Sequence, residues 1–162
     1  MRHSNEDLRD IGFTKDRIIW QILCGVVVAV GALLIFIVLP ALFGIMMSYI
    51  GNLSALNIIT QIIYMLLAVT PVEEIVFRGY MFKQLSDTIT SRWLVMIISS
   101  VLFGLFHIVN GSVLQVIFTT LIGFYFCICR EKIKNCTLLS LIIGHALYNT
   151  VHPIFTALYF SR

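Results

Sequence analysis

The sequence predicts an all-α protein, a polytopic transmembrane helix bundle of about five spans with a broken second span near Pro71. Three observations carry that expectation. Of the 162 residues, 59% are hydrophobic and 12% are charged, where an ordinary soluble domain has about 25% charged. The mean hydropathy is +0.97. The charges are gathered into short stretches, and the apolar runs between them have spanning length. This excludes a soluble globular domain, a disordered chain and a nucleic-acid binder. The net charge of +3 is too small to point to a polyanionic partner, and the length suits one domain. The expected surroundings are the lipid bilayer.

Residues 1–17 carry Arg2, Glu6, Asp7, Arg9, Asp10, Lys15, Asp16 and Arg17 and read as a polar head. Residues 18–162 read as the transmembrane bundle. A spanning helix takes about 20 apolar residues at 1.5 Å rise. The first run is Ile18 to Leu39, stopped or kinked at Pro40. Ala41 to Ile50 is apolar but too short to span, and extends that helix or lies at the interface. The second span starts near Leu53 and ends about Leu85, with Pro71 inside it. Thr70 followed by Pro71 resembles a helix start, so this span is expected to break and restart there. The free N–H groups of such a restart would favour Glu73 and Glu74 as carboxylates. The third span is Trp93 to Val109, closed by the turn signal Asn110-Gly111-Ser112. The fourth is Val113 to Cys129. The fifth runs from about Thr137 to Phe160, with Pro153 near its end.

The distribution of Lys and Arg sets the orientation. Four precede the first span, Lys83 and Arg92 flank the second loop, and Arg130, Lys132 and Lys134 occupy the fourth. The stretches 40–55 and 110–112 hold none. This alternation predicts a cytoplasmic N-terminus and an external C-terminus, with Arg162 alone pointing the other way. The head is long and holds four acids, and the apolar run exceeds a signal-peptide core, so the first span is expected to be retained. Cys24, Cys127, Cys129 and Cys136 form no C-x-x-C pair and read as small apolar residues rather than a disulfide or metal framework.

Ionisable residues at membrane depth are expensive and mark function. Glu73, Glu74 and Arg78 fall together. Glu74 and Arg78 are four apart on one helix face and can pair. Glu73 points about 100° away and has no obvious local partner, which suits a general base. His107 lies four residues after Phe103, and His145 four before Asn149. Lipid would not solvate these groups, so they are expected to converge in the bundle interior. His3 reads as solvated and His152 as structural or interfacial. The depths match only in part. Glu73 lies ten residues from Lys83 and His145 eleven from Lys134, or about 15 Å each. His107 lies fifteen from Arg92, or about 22 Å.

Glu73-Glu74-x-x-x-Arg78-Gly79, Phe103-x-x-x-His107 and His145-x-x-x-Asn149 resemble the three motifs of the CPBP intramembrane protease family, which includes the CAAX prenyl endopeptidases and bacterial bacteriocin-processing, self-immunity and Abi proteins. The resemblance covers roughly residues 60–155. It implies that Glu73 activates a water and that Glu74 and Arg78 support the helix. It implies that His107 holds the water, and that His145 and Asn149 face the scissile carbonyl. Phe103 would pack in the pocket and Gly79 would permit close helix approach. The family is often described as metalloproteases, and Glu73, His107 and His145 could supply a zinc set with an open position. No H-E-x-x-H is present, and the metal-free glutamate mechanism is favoured. The implied protein is an intramembrane endopeptidase of a bacterial cell membrane. Its partner would be a small membrane-associated or lipidated peptide, such as a bacteriocin or pheromone precursor. The alternative is a non-catalytic self-immunity protein or regulatory scaffold of the same fold. A small transporter is a third reading, which no inverted repeat supports.

Overall fold

The computed structural model describes residues 9–14, 16–45, 54–109 and 112–160. Within them the chain forms five long helices: α1 (Ile18–Leu42), α2 (Leu56–Thr88), α3 (Arg92–Phe106), α4 (Val113–Lys132) and α5 (Leu138–Phe160). Four of these, all but α3, have the length and hydropathy of membrane spans. The starts are chemically marked. The Ser54, Ser91 and Ser112 hydroxyls accept from the N–H groups of Asn57, Leu94 and Gln115, satisfying donors that a helix start leaves free.

The two proline expectations resolve in the same way. α1 passes through Pro40 and ends at Leu42, and the stretch Leu34–Val38 just before the proline is π-helical. The expected discontinuity near Pro71 is also a change of helical register, over Met65–Val69, and not a restarted N-terminus. A proline ring collides with the carbonyl four residues back, and the wider π turn gives it room. The Thr70 hydroxyl donates to the Met65 carbonyl at 2.7 Å, and the Thr70 backbone N–H bonds the same carbonyl. Glu73 and Glu74 therefore sit in a continuous helix, and the free N–H groups expected of a restart are absent there.

A second π stretch of α2, Ile75–Met81, follows the α-helical turn Thr70–Glu74. Here the Ser99 hydroxyl of α3 donates to the Phe77 carbonyl at 2.9 Å and ties α2 to α3. The third expected span is shorter than Trp93 to Val109, because α3 stops at Phe106. The His107 N–H turns to the Gly104 carbonyl, and the His107 ring takes the orphaned Phe103 carbonyl. The rest of the expected turn, Asn110-Gly111, and the tail of the apolar stretch after Ile45 lie outside the described residues.

Two helix pairs make the body, α1 with α5 and α3 with α4. Glycine permits both contacts. A Cβ on Gly25 would stand 2.8 Å from the Ser140 carbonyl oxygen, and one on Gly104 would stand 2.8 Å from that of Val116. Tyr125 of α4 donates to the Val28 carbonyl at 2.9 Å and joins the pairs. The described part of the polar head is not separate from the bundle. Ile11 is buried against Leu138 and Ile142, the Gly12 carbonyl accepts from the Leu138 N–H at 3.1 Å, and the Ile11 carbonyl accepts from Arg130 at 3.1 Å.

Because Gly25 meets backbone rather than a flexible side chain, Gly25→Val should destabilise the protein by about 1–3 kcal/mol through overpacking. Val27→Ala, on the exposed face of α1, should stay within about 0.5 kcal/mol. The fall in the thermal unfolding midpoint in detergent measures both.

Candidate active site

α2 supplies Glu73, Glu74 and Arg78, the end of α3 supplies Phe103 and His107, and α5 supplies His145 and Asn149. The depth mismatch seen in the sequence disappears because α2 continues past Lys83 to Thr88. Glu73 lies fifteen residues before Thr88, and His107 lies fifteen after Arg92. The two residues are equidistant from the turn between α2 and α3, so antiparallel packing sets them side by side.

The innermost layer is ionic and dry. Glu74 and Arg78 both have no exposed surface, and their side chains pair at 3.1 Å, as their spacing predicts. The same Glu74 oxygen accepts from His145 Nδ1 at 2.7 Å. The guanidinium lies 4.0 Å from the Phe103 ring centre and 5.7 Å from that of Phe126. Charge pairing and the two aromatic faces offset part of its burial. Glu74 Oε2, Arg78 Nε and Arg78 Nη2 have no protein partner, so the pair is held more by confinement than by a full set of hydrogen bonds.

Glu73 forms the next layer, at the wall of a cavity of about 410 Å³. Its oxygens lie 3.8 Å from His107 Nε2 and 3.7 Å from His145 Nε2. His107 Nδ1 is 2.9 Å from the Phe103 carbonyl, which can only accept, so Nδ1 carries the proton. His145 Nδ1 faces a carboxylate and likewise donates. In that tautomer each ring presents its Nε2 lone pair towards Glu73. A carboxylate and two imine nitrogens cannot satisfy one another. At 3.7–3.8 Å they are too far apart for direct hydrogen bonds but well placed to share a water that donates both protons.

A zinc ion held tetrahedrally at about 2.1 Å would need donors roughly 3.4 Å apart. Glu73 stands 3.8 Å from His107 Nε2 and, by its other oxygen, 3.7 Å from His145 Nε2, both wider than that. Among the described residues no group of three or more His, Cys, Asp or Glu is arranged to hold a metal ion. In this arrangement the residues do not fit the zinc set that their types allow.

Asn149 lies one turn beyond His145 on the same wall, and its amide reaches Met65 Sδ at 3.9 Å. Phe103 lines the cavity. Gly79 is different. A Cβ there would make ordinary contact, at 3.4 Å from Leu138 and 3.5 Å from Ile11. The close approach at the site belongs to Gly123 of α4, where a Cβ would stand 2.9 Å from Arg78 Nη2 and 3.0 Å from Phe103. No motif singles out Gly123, and its requirement arises only from the neighbour across the helix pair. His152 lines the cavity, with its ring stacked on Tyr148 at 5.7 Å. Its signal is in the sequence, since residues 145, 148, 149 and 152 repeat the helical face spacing. Gln115, Phe118, Thr119 and Ile122 form the same stripe on α4.

Residues 54–151 match a family model, the Rce1-like family of type II CAAX prenyl endopeptidases. The match covers more than half of the chain and contains all three motifs. No curated protein and no solved structure matches significantly.

Arg78→Ala strands the buried Glu74 carboxylate and should cost about 3–5 kcal/mol. The double variant Glu74→Leu/Arg78→Met should recover most of that stability. Denaturant unfolding in mixed micelles compares the three proteins.

Proposed function

This chain belongs to the Rce1-like type II CAAX prenyl endopeptidase family, and on that premise we propose that it hydrolyses a peptide bond within the membrane by a Glu73-activated water. The observation that carries this reading is the set of three proton acceptors, Glu73 and two Nε2 atoms, facing one another across 3.7–3.8 Å. Such a set orients a water by both of its protons.

The water oxygen attacks the scissile carbonyl carbon as Glu73 takes one proton, and His107 holds the other through Nε2. A carbon–oxygen bond forms, and the carbonyl oxygen becomes an oxyanion. The Asn149 amide can donate to it without a change of charge, and His145 stands beside it on the same helix face. The tetrahedral intermediate then collapses. The carbon–nitrogen bond breaks, and Glu73 returns its proton to the departing amine. Glu74 works one step back. Its bond to His145 Nδ1 fixes both the tautomer and the ring plane, and Arg78 keeps it ionised and immobile.

The substrate class that suits the site is a small membrane-associated or lipidated peptide, such as a bacteriocin or pheromone precursor. The cavity walls are mostly apolar, with Phe36, Val69, Phe118 and Ile122 among them. An extended, uncharged stretch of backbone could lie against them.

Purified protein in liposomes, given amphipathic and prenylated peptides, tests the reading. Glu73→Gln should abolish cleavage. Asn149→Ala should lower kcat by about 10²–10³-fold, the usual worth of one oxyanion donor. Cleavage should persist with a metal chelator. Loss on chelation that zinc restores would overturn the metal-free step. Absence of cleavage by the folded protein across the peptide set would favour a self-immunity or scaffold role.

A further inference from the structure

The amide proposed to receive the oxyanion is sparsely held. Among the described residues the Asn149 side chain has one hydrogen-bond partner, the Met65 thioether, whose Sδ lies 3.9 Å from Nδ2. Both side chains are half-buried and line the cavity. A terminal amide turns about a broad, roughly two-fold torsion, so its nitrogen and oxygen can exchange places. The two orientations are chemically opposite. The nitrogen end stabilises an oxyanion, and the oxygen end repels it.

Met65 distinguishes the two ends. A thioether sulfur has no proton to give and can only accept. Against Sδ, Nδ2 sets an N–H on a lone pair, whereas Oδ1 would set one lone pair against another. The amide nitrogen carries two N–H groups, so one engaged by sulfur leaves the second for the cavity. The thioether is also a weak acceptor, so it competes little with an oxyanion for the amide. Met65 is itself fixed through its backbone. Its carbonyl takes both the hydroxyl and the N–H of Thr70, which is fully buried. Tyr64, Leu66, Leu67 and Ala68 around it are exposed, and of these five Met65 alone turns inward. Met65, Val69 and Glu73 share the cavity wall. In a regular α-helix Met65 and Glu73, eight apart, would point about 80° apart. The π turn that starts at Met65 winds less per residue and reduces that difference, so the register change before Pro71 also aims Met65.

We infer that Met65 is a positioning residue: its thioether selects the nitrogen end of Asn149 and keeps one N–H free for the oxyanion. The geometry stands on the Met65–Asn149 contact, whereas its catalytic purpose rests on the proteolytic reading above. Leucine at position 65 would fill a similar volume but could not choose between the two ends of the amide. Part of the population would then present Oδ1 to the reacting carbonyl.

The unsubstituted protein is compared with Met65→Leu and with Met81→Leu, a methionine of the same helix that packs against the core rather than the cavity. In the first arm, NMR relaxation in micelles measures the order of the Asn149 side-chain amide, whose signal is identified by its loss in Asn149→Ala. Met65→Leu should lower that order and Met81→Leu should not, with all three proteins unfolding at similar temperatures. Unchanged order in Met65→Leu overturns the inference. In the second arm, the liposome cleavage assay gives kcat and KM. Met65→Leu should lower kcat about 10-fold, part of the roughly 10²–10³-fold that the donor supplies, with KM unchanged. In an Asn149→Ala background it should have no further effect, because the two residues act as one unit. An equal loss in both backgrounds, or no loss in either, overturns the inference. If the unsubstituted protein cuts no peptide, the proteolytic reading is overturned, and the order measurement still decides whether Met65 fixes the amide.

Discussion

The buried Glu74 carboxylate is the constraint on which the site depends. It receives Arg78 from its own helix and His145 from α5 on a single oxygen. In an apolar bundle either charge left buried without the other would be costly. The pair therefore fixes α2 against α5, and the aromatic faces of Phe103 and Phe126 fix it against α3 and α4. His145 takes its orientation from this arrangement. The proposed chemistry at Glu73 would thus rest on an ion pair that lies outside the cavity lining.

The irregular stretches of α2 serve the same end. The π turn before Thr70 absorbs Pro71, and within the one after Glu74 the Phe77 carbonyl accepts from Ser99. Glu73, Glu74 and Arg78 lie between or within these turns, so their directions depend on the local register as well as on their spacing. π turns commonly occur at functional positions, and here the reason is visible in the hydrogen bonds.

A dry layer on one side and a cavity on the other give the site a polarity. The Glu74–Arg78 pair, with Phe103 and Phe126 against it, closes one side of Glu73. The cavity-lining faces of α2, α4 and α5 extend from Glu73 in the other direction.

Much of this was legible in the chain itself. Composition fixed the class, charge placement fixed the order of the helices, and the three motifs held every residue of the central constellation. The Glu74–Arg78 pair followed from a spacing of four, because helical geometry is local. What tertiary structure alone decided were the relations between helices. A proline announces a disturbance, but neighbouring packing determines whether the helix breaks or widens. Lys83 looked like a boundary, yet α2 runs on to Thr88, and only then do Glu73 and His107 come level. Gly123 carries no signal at all, since its need is set by Arg78 and Phe103 across a helix pair. Sequence lists which polar groups a membrane must hide, and packing decides which of them face one another, because burial energy depends on neighbours that are distant along the chain.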